Sequence, residues 1–305
     1  MGHHHHHHHH VDPDAGDRRM YGAIGVNFAL TIAQIVGGIL SGSLALIADA
    51  LHNLSDAVSL VIAFAARKIA RRPADAQMTF GYGRAEVVAA LINYTTLILL
   101  AFYLVYEAVE RFFDPSQANG WMIVIIAGIA LVVDLVTAAL TYAMSKSSVN
   151  IRAAFLHNLA DALGSVAVIV AGGAILVFGW WWVDPLVTLM IAGYILWMGF
   201  AEIGEVIRIL MQASPPGLDS EEIVESLQGV DGVASVHHAH LWQMEEHHPA
   251  MEAHVVVVEG RWAEADAIKA RIKVMLSEKF GVGHSTLELE CARHACRDPK
   301  VIGHA

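Results

Sequence analysis

Asp49-Ala-Leu-His52-Asn-Leu-Ser-Asp56 and its echo His157-Asn-Leu-Ala-Asp161 decide how this chain is read. Each places a histidine and an aspartate four residues apart, so on a helix both side chains share one face. Asp49, three residues before His52 and seven before Asp56, lies on that face too. Both stretches sit inside long apolar runs, where an ionisable side chain is costly and marks a functional site by default. Two imidazoles and two carboxylates from two helices make a four-coordinate N2O2 set, which suits Zn2+. The plainer alternative is a pair of satisfied polar contacts holding helices together. A spacing used twice inside lipid favours the metal site.

The surrounding runs are long enough to cross a bilayer of roughly 30 Å. Hydrophobic residues make up 55% of the chain and charged ones 16%, so it reads as a membrane protein. Six spans are predicted, over about 20–41, 44–67, 85–111, 121–144, 151–178 and 181–211. The loops at 41–43, 114–120 and 178–180 carry no Lys or Arg. Arg67, Lys68, Arg71, Arg72 and Arg84 flank the loop after the second span, and Lys146 and Arg152 the loop after the fourth. By the positive-inside bias these basic loops, and both termini, face the cytoplasm. No cleavable signal is read ahead of the first span. His3 to His10 is a purification tag, which removes eight of the nineteen histidines from consideration.

The formal charge of -11, without a basic stripe, excludes nucleic acid as a partner. The only two cysteines, Cys291 and Cys296, make no disulfide framework and are free thiols or metal ligands. Gly37, Gly38, Gly42, Gly172 and Gly173 are expected to let helices approach closely. Trp180, Trp181 and Trp182 fit an outer aromatic belt. Asn27 and Gln34 are expected to bond between helices. Asp134, midway along the fourth span, is either a partner or proton relay for the metal site or a lone satisfied acid.

Beyond Ser214-Pro215-Pro216-Gly217 the character becomes that of a soluble domain. A helix over 219–227 is predicted, capped by Asp219 or Ser220. Strands follow over 233–244 and 251–258 around a turn at 245–250, then a helix over 263–279 ended by Gly281 and a strand over 285–290. The division is a tag and tail at 1–19, a membrane domain at 20–212 and a soluble domain at 213–305. The fold class is thus an all-α six-helix transmembrane bundle plus a C-terminal α/β ferredoxin-like (αββαβ) domain.

Four motifs carry a resemblance: the stretch from Ser43 to Asp56, Phe80-Gly-Tyr-Gly-Arg84-Ala-Glu86, His157 to Ser165, and Val236-His237-His-Ala-His240-Leu-Trp242. With these the chain resembles the cation diffusion facilitators, the family of CzcD-like and YiiP-like zinc exporters. The resemblance implies a homodimer in a bacterial inner membrane, exporting Zn2+ in exchange for H+ through His52, Asp56, His157 and Asp161. Cd2+, Co2+ and Ni2+ are the alternative substrates. Asp49 and Asp134 become candidates for supporting contacts or a proton relay.

The resemblance also implies a cytoplasmic Zn2+ site of His237, His254 and Glu290; Glu288 matches a ligand position in some members. His238, His240, His247, His248 and His284 are further ligands or exposed edge histidines. Cys291, His294 and Cys296 are ligands or part of a mobile tail. A second site found in some relatives between spans two and three is expected to be absent, because Met78 and Tyr82 stand beside Asp75 where histidines are needed. Gln212 replaces the acid that would pair with Arg84.

Three function classes compete. A metal-proton exchanger needs ligands inside the membrane, and this chain has them twice. A membrane-bound metal sensor would confine its ligands to the soluble domain. A bilayer metalloenzyme would typically show His-Glu-x-x-His, which the sequence lacks. The exchanger is the expected function, and the chain is not an enzyme.

Overall fold

Backbone amides in lipid have no water to bond, so apolar spans become helices. The computed structural model describes residues 28–145, 149–245, 248–296 and 299–303. Asn27 and His247 lie outside them. Among the described residues, five helices are long and apolar enough to cross a membrane. They are α2 (Leu44–Ala70), α3 (Arg84–Phe113), α4 (Gly120–Ser145), α5 (Val149–Phe178) and α6 (Val183–Leu210). A shorter apolar helix, α1 (Phe28–Ser41), precedes them. At ~1.5 Å per residue, the 26 residues of α4 and the 30 of α5 exceed the hydrocarbon thickness. Phe64, Leu99, Val132 and Trp197 are exposed on these helices, as side chains facing lipid should be. The chain is an integral membrane protein with a C-terminal mixed α/β portion.

Two compact units divide the chain, Met1–Val61 with Thr95–Phe200 and Ile62–Tyr94 with Ala201–Ala305. In the first, Ala45, Leu46, Ile123, Ala127, Val168 and Ala171 share one buried cluster. Close approach is real at Gly37, where an added Cβ would lie 2.0 Å from Ile126, and at Gly172, where it would lie 2.8 Å from Ile123. Gly173 corrects the expectation, since none of the described residues lies within 4 Å of its Cβ position. Gly42 has φ +72 and serves a turn. Two of the three loops free of basic residues meet there: the Asn119 amide donates to Ser41 O at 2.8 Å, and Arg111, at the end of α3, donates to Gly42 O.

The second unit holds the αββαβ elements α7 (Ser220–Gln228), β1 (Val233–Glu245), β2 (His248–Val257), α8 (Ala265–Phe280) and β3 (His284–Cys291). Asp219 caps α7 by accepting from the Glu221 amide at 2.9 Å, which settles the cap on Asp219. Gly281, at φ 68, closes α8 in the left-handed conformation. The sheet order is β1-β2-β3, with β1 antiparallel and β3 parallel to β2. A parallel neighbour needs a crossover, which α8 supplies.

Val236, Leu241, Met251 and Val255 join Ile223, Leu227, Ile268 and Ile272 in the core. Strand alternation therefore sends His254, Glu288 and Glu290 to the face away from the helices. The expected turn at 245–250 is shorter than read, because β1 runs to Glu245 and β2 resumes at His248. Elsewhere in this unit Val87, Val206 and Ile209 pack together. Arg84 Nε donates to Met244 O at 3.0 Å, so its partner is a strand carbonyl; Gln212 holds a left-handed φ of 57.

Candidate metal sites

His52 and Asp56 stand one turn apart on α2, and Asp161 reaches them from α5. His52 Nε2 lies 3.7 Å from Asp56 Oδ2 and 3.8 Å from Asp161 Oδ1. The His52 side chain is 9% exposed, Asp161 10% and Asp56 31%. Tyr194 of α6 meets the His52 ring edge-on, with centroids 6.2 Å apart. One imidazole between two carboxylates from two helices is a cation-attracting arrangement held out of water. His157 lies on α5 one turn before Asp161, and its side chain is outside the described ones.

Asp49 and Asp134 are buried on α2 and α4. Gln34 of α1 donates to Asp49 Oδ2 at 2.7 Å and accepts from Asn53 at 3.3 Å, the interhelical bond expected of that amide. Ser165 of α5 donates to Asp134 Oδ2 at 3.1 Å. Each acid thus ties its own helix to a neighbour. In the loop after α2, Asp75 accepts from Tyr82 Oη at 2.7 Å and from the Gln77 and Met78 amides at 2.8 and 2.9 Å. These bonds, the tyrosine's first, hold its carboxyl below the usual range.

On the sheet, His237 stands directly opposite His254, and His254 beside Glu288. His254 Nδ1 bonds Glu290 Oε1 at 2.6 Å, and His237 Nε2 lies 3.4 Å from Glu290 Oε2. Burial alone would raise the Glu290 carboxyl. The His254 ring, the Cys296 amide and the nearby His237 outweigh it and leave Glu290 below its ordinary value. Glu288 is 3.4 Å from His254 Nε2. His240 pairs with Glu252 at 3.2 Å and His248 with Glu245 at 2.6 Å, which places both apart from this group. Cys291 Sγ is 3.2 Å from His294 Nδ1.

Two sets have ligand atoms that all lie within 4.8 Å of one another among the described residues: His254 with Glu288 and Glu290, and His237 with His238, His254 and Cys296. The sequence leaves His238 open between a further ligand and an exposed edge histidine, and Cys296 between a ligand and part of a mobile tail. Both belong to the second set. Neighbours on a regular strand point to opposite faces, so nothing in the order His237-His238 announces that both rings converge.

Spanning helices that bury histidine and aspartate, with a histidine-rich sheet face in the same chain, define a membrane protein equipped to handle metal cations. Residues 20–211 match the cation efflux transmembrane domain, and residues 215–291 match the cation efflux protein, cytoplasmic domain. The chain is 37% identical to a "Cadmium, cobalt and zinc/H(+)-K(+) antiporter" of Bacillus subtilis, over 86% of this chain and 85% of that one. It is 35% identical to the "Zinc transporter ZitB" of Pectobacterium atrosepticum, over 94% and 89% of the two. A solved structure, the metal-bound C-terminal domain of the CzcD transporter from Cupriavidus metallidurans, covers 24% of this chain and 99% of its own. It is 27% identical, with a TM-score of 0.21. The chain belongs to the cation efflux family, the cation diffusion facilitators, whose members are transporters and not enzymes.

Proposed function

We propose that this protein exports a divalent cation, Zn2+ first among candidates, in exchange for H+. The site is His52, Asp56, His157 and Asp161, used by alternating access. The carrying observation is the His52 ring held within 4 Å of carboxylates from two helices, at 3.7 and 3.8 Å. Imidazole and carboxylate in a four-fold set favour Zn2+ over the harder Mn2+. The names of the relatives support the same reading, one as a zinc transporter and one as a cadmium, cobalt and zinc antiporter.

On this reading a six-helix domain at 20–212 carries the ion. The ferredoxin-like domain at 213–305 binds a regulatory Zn2+ through His237, His254 and Glu290, with Glu288 alongside. The protein works as a homodimer in a bacterial inner membrane, with both termini in the cytoplasm. Asp49 and Asp134 support the site or relay protons.

The test is uptake into sealed vesicles, with a metal panel outside and a lumenal pH dye. Zn2+ entry with an opposing proton flux is expected, and Cd2+, Co2+ and Ni2+ rank its selectivity. Ala at His52, Asp56, His157 or Asp161 should abolish flux in a protein that still elutes as folded, since a four-ligand site missing one ligand loses most of its affinity. Normal Zn2+ flux in any two of these variants would remove the site assignment.

A further inference from the structure

A strand cannot normally aim two consecutive side chains at one point. Here β1 breaks register between His237 and His240, and His238 takes a left-handed φ of 47 that disfavours any residue with a Cβ. The bulge turns both rings toward His254. The three imidazoles form a triangle, with centroids 5.0 Å (His237 to His238), 5.2 Å (His237 to His254) and 5.0 Å (His238 to His254) apart. Of these, His237 is 2% exposed, and neither of its ring nitrogens makes a hydrogen bond. A buried imidazole without a hydrogen-bond partner is unfavourable unless something else takes its lone pair.

The chain beyond β3 closes over this triangle. Lys300 O accepts from the His238 amide and Val301 O from the Ala239 amide, each at 3.0 Å, and the Gly303 amide donates to Ala239 O at 3.3 Å. Ala239 and Ile302 form a parallel bridge, so the tail pairs along the free edge of β1. Glu290 holds the intervening Cys296 by its amide at 3.2 Å and its thiol at 3.6 Å. That leaves Sγ within 4.8 Å of a ligand nitrogen on each of the three histidines.

We propose that the tail completes a four-coordinate divalent-metal site in which the Cys296 thiolate joins His237, His238 and His254. It rests on the reading that this sheet face takes up a divalent ion; it keeps His237 and His254 as ligands and puts His238 and the tail's soft Cys296 in the place of Glu290, which stays beside the site. With Zn–N of ~2.0–2.1 Å and Zn–S of ~2.3 Å, closure moves each ligand atom inward by about an ångström. The ion forms a bond to sulfur as the thiol proton leaves, with Glu290 as its first acceptor; no electrons are exchanged.

The experiment uses the full chain without its tag, carrying His52→Ala and Asp56→Ala to silence the membrane site, with Co2+ as probe. A near-ultraviolet thiolate-to-cobalt charge-transfer band is expected, retained in Cys291→Ser and lost in Cys296→Ser. In the Cys291→Ser protein, where Cys296 is native, Zn2+ should slow alkylation of Cys296 about tenfold or more. Suppose visible Co2+ bands vanish with His237→Ala but no charge-transfer band appears, and Cys296→Ser changes nothing. The sheet site then stands and the cysteine ligand is refuted. Loss of the band in Cys291→Ser alone refutes it equally. Co2+ spectra indifferent to His237→Ala would overturn the sheet site itself, and the tail ligand with it.

Discussion

Asp184 shows how much one carboxylate can organise in lipid. It is 1% exposed at the start of α6, yet it accepts from Ser43 Oγ and from the Leu44 and Ala45 amides at 2.8 and 3.4 Å. It therefore caps α2, whose first amides have no partner within the helix. Asp184→Ala should cost about 1–3 kcal/mol, read as a lower melting temperature in detergent, with Asp184→Asn losing less because an acceptor remains. Equal melting of all three proteins would deny the cap. At the proposed membrane site, His52→Asp should widen selectivity toward harder ions and not stop flux, since carboxylate replaces the softer imidazole. Vesicle uptake with Zn2+, Cd2+ and Mn2+ measures this, and an unaltered ranking would move discrimination elsewhere. That His52 and Asp56 share one face was legible because spacing along one helix is local information, whereas the approach of Asp161 from α5 is a tertiary contact. Asp184 was not, with its partner Ser43 141 positions away. The convergence of His238 was equally hidden, because it depends on a bulge.

At the scale of elements, the bilayer does most of the specifying, and the five long helices, α2 to α6, fall within a few residues of their predicted spans. The errors lie where tertiary contact decides. The turn after β1 is short because strand pairing continues to Glu245 and His248, which face each other. The pairing of the tail was invisible because Val301-Ile302 is too brief a run to read as a strand without the edge of β1 beside it. Adjacent glycines on α5 make a controlled comparison. An added methyl at Gly172 meets Ile123 at 2.8 Å and Val124 at 2.9 Å, both β-branched and stiff. At Gly173 it meets none of the described residues within 4 Å. Gly172→Ala should destabilise by about 1–3 kcal/mol through overpacking. Gly173→Ala should stabilise by about 0.5–1 kcal/mol, because Ala gives up less backbone freedom in a helix. Thermal unfolding of the two proteins side by side tests the α4–α5 contact, and shifts of the same sign would contradict it.

Taken as a whole molecule, the proposed exchange requires protons and metal to favour different orientations, since a ligand biases an equilibrium only through differential affinity. Metal binds neutral imidazole, and imidazoles titrate near ~6.5 in general, between cytoplasmic and acidic external pH. An ion arriving from the neutral side displaces any proton held on those nitrogens. On the acidic side protons return and help eject it. The sign follows directly: lowering the pH favours the protonated ring, so Zn2+ affinity must fall. Calorimetric titration of the tag-free protein carrying His237→Ala and Glu290→Ala, to silence the sheet site, should show a steep loss of affinity from pH of roughly 7 to 5.5. His52→Asp removes one imidazole and should carry that loss to lower pH, because a carboxylate holds its proton less tightly. Binding that stays constant across this range would assign the exchanged protons to other groups, and Asp49 and Asp134, both buried beside the spanning helices' polar contacts, would be next to substitute.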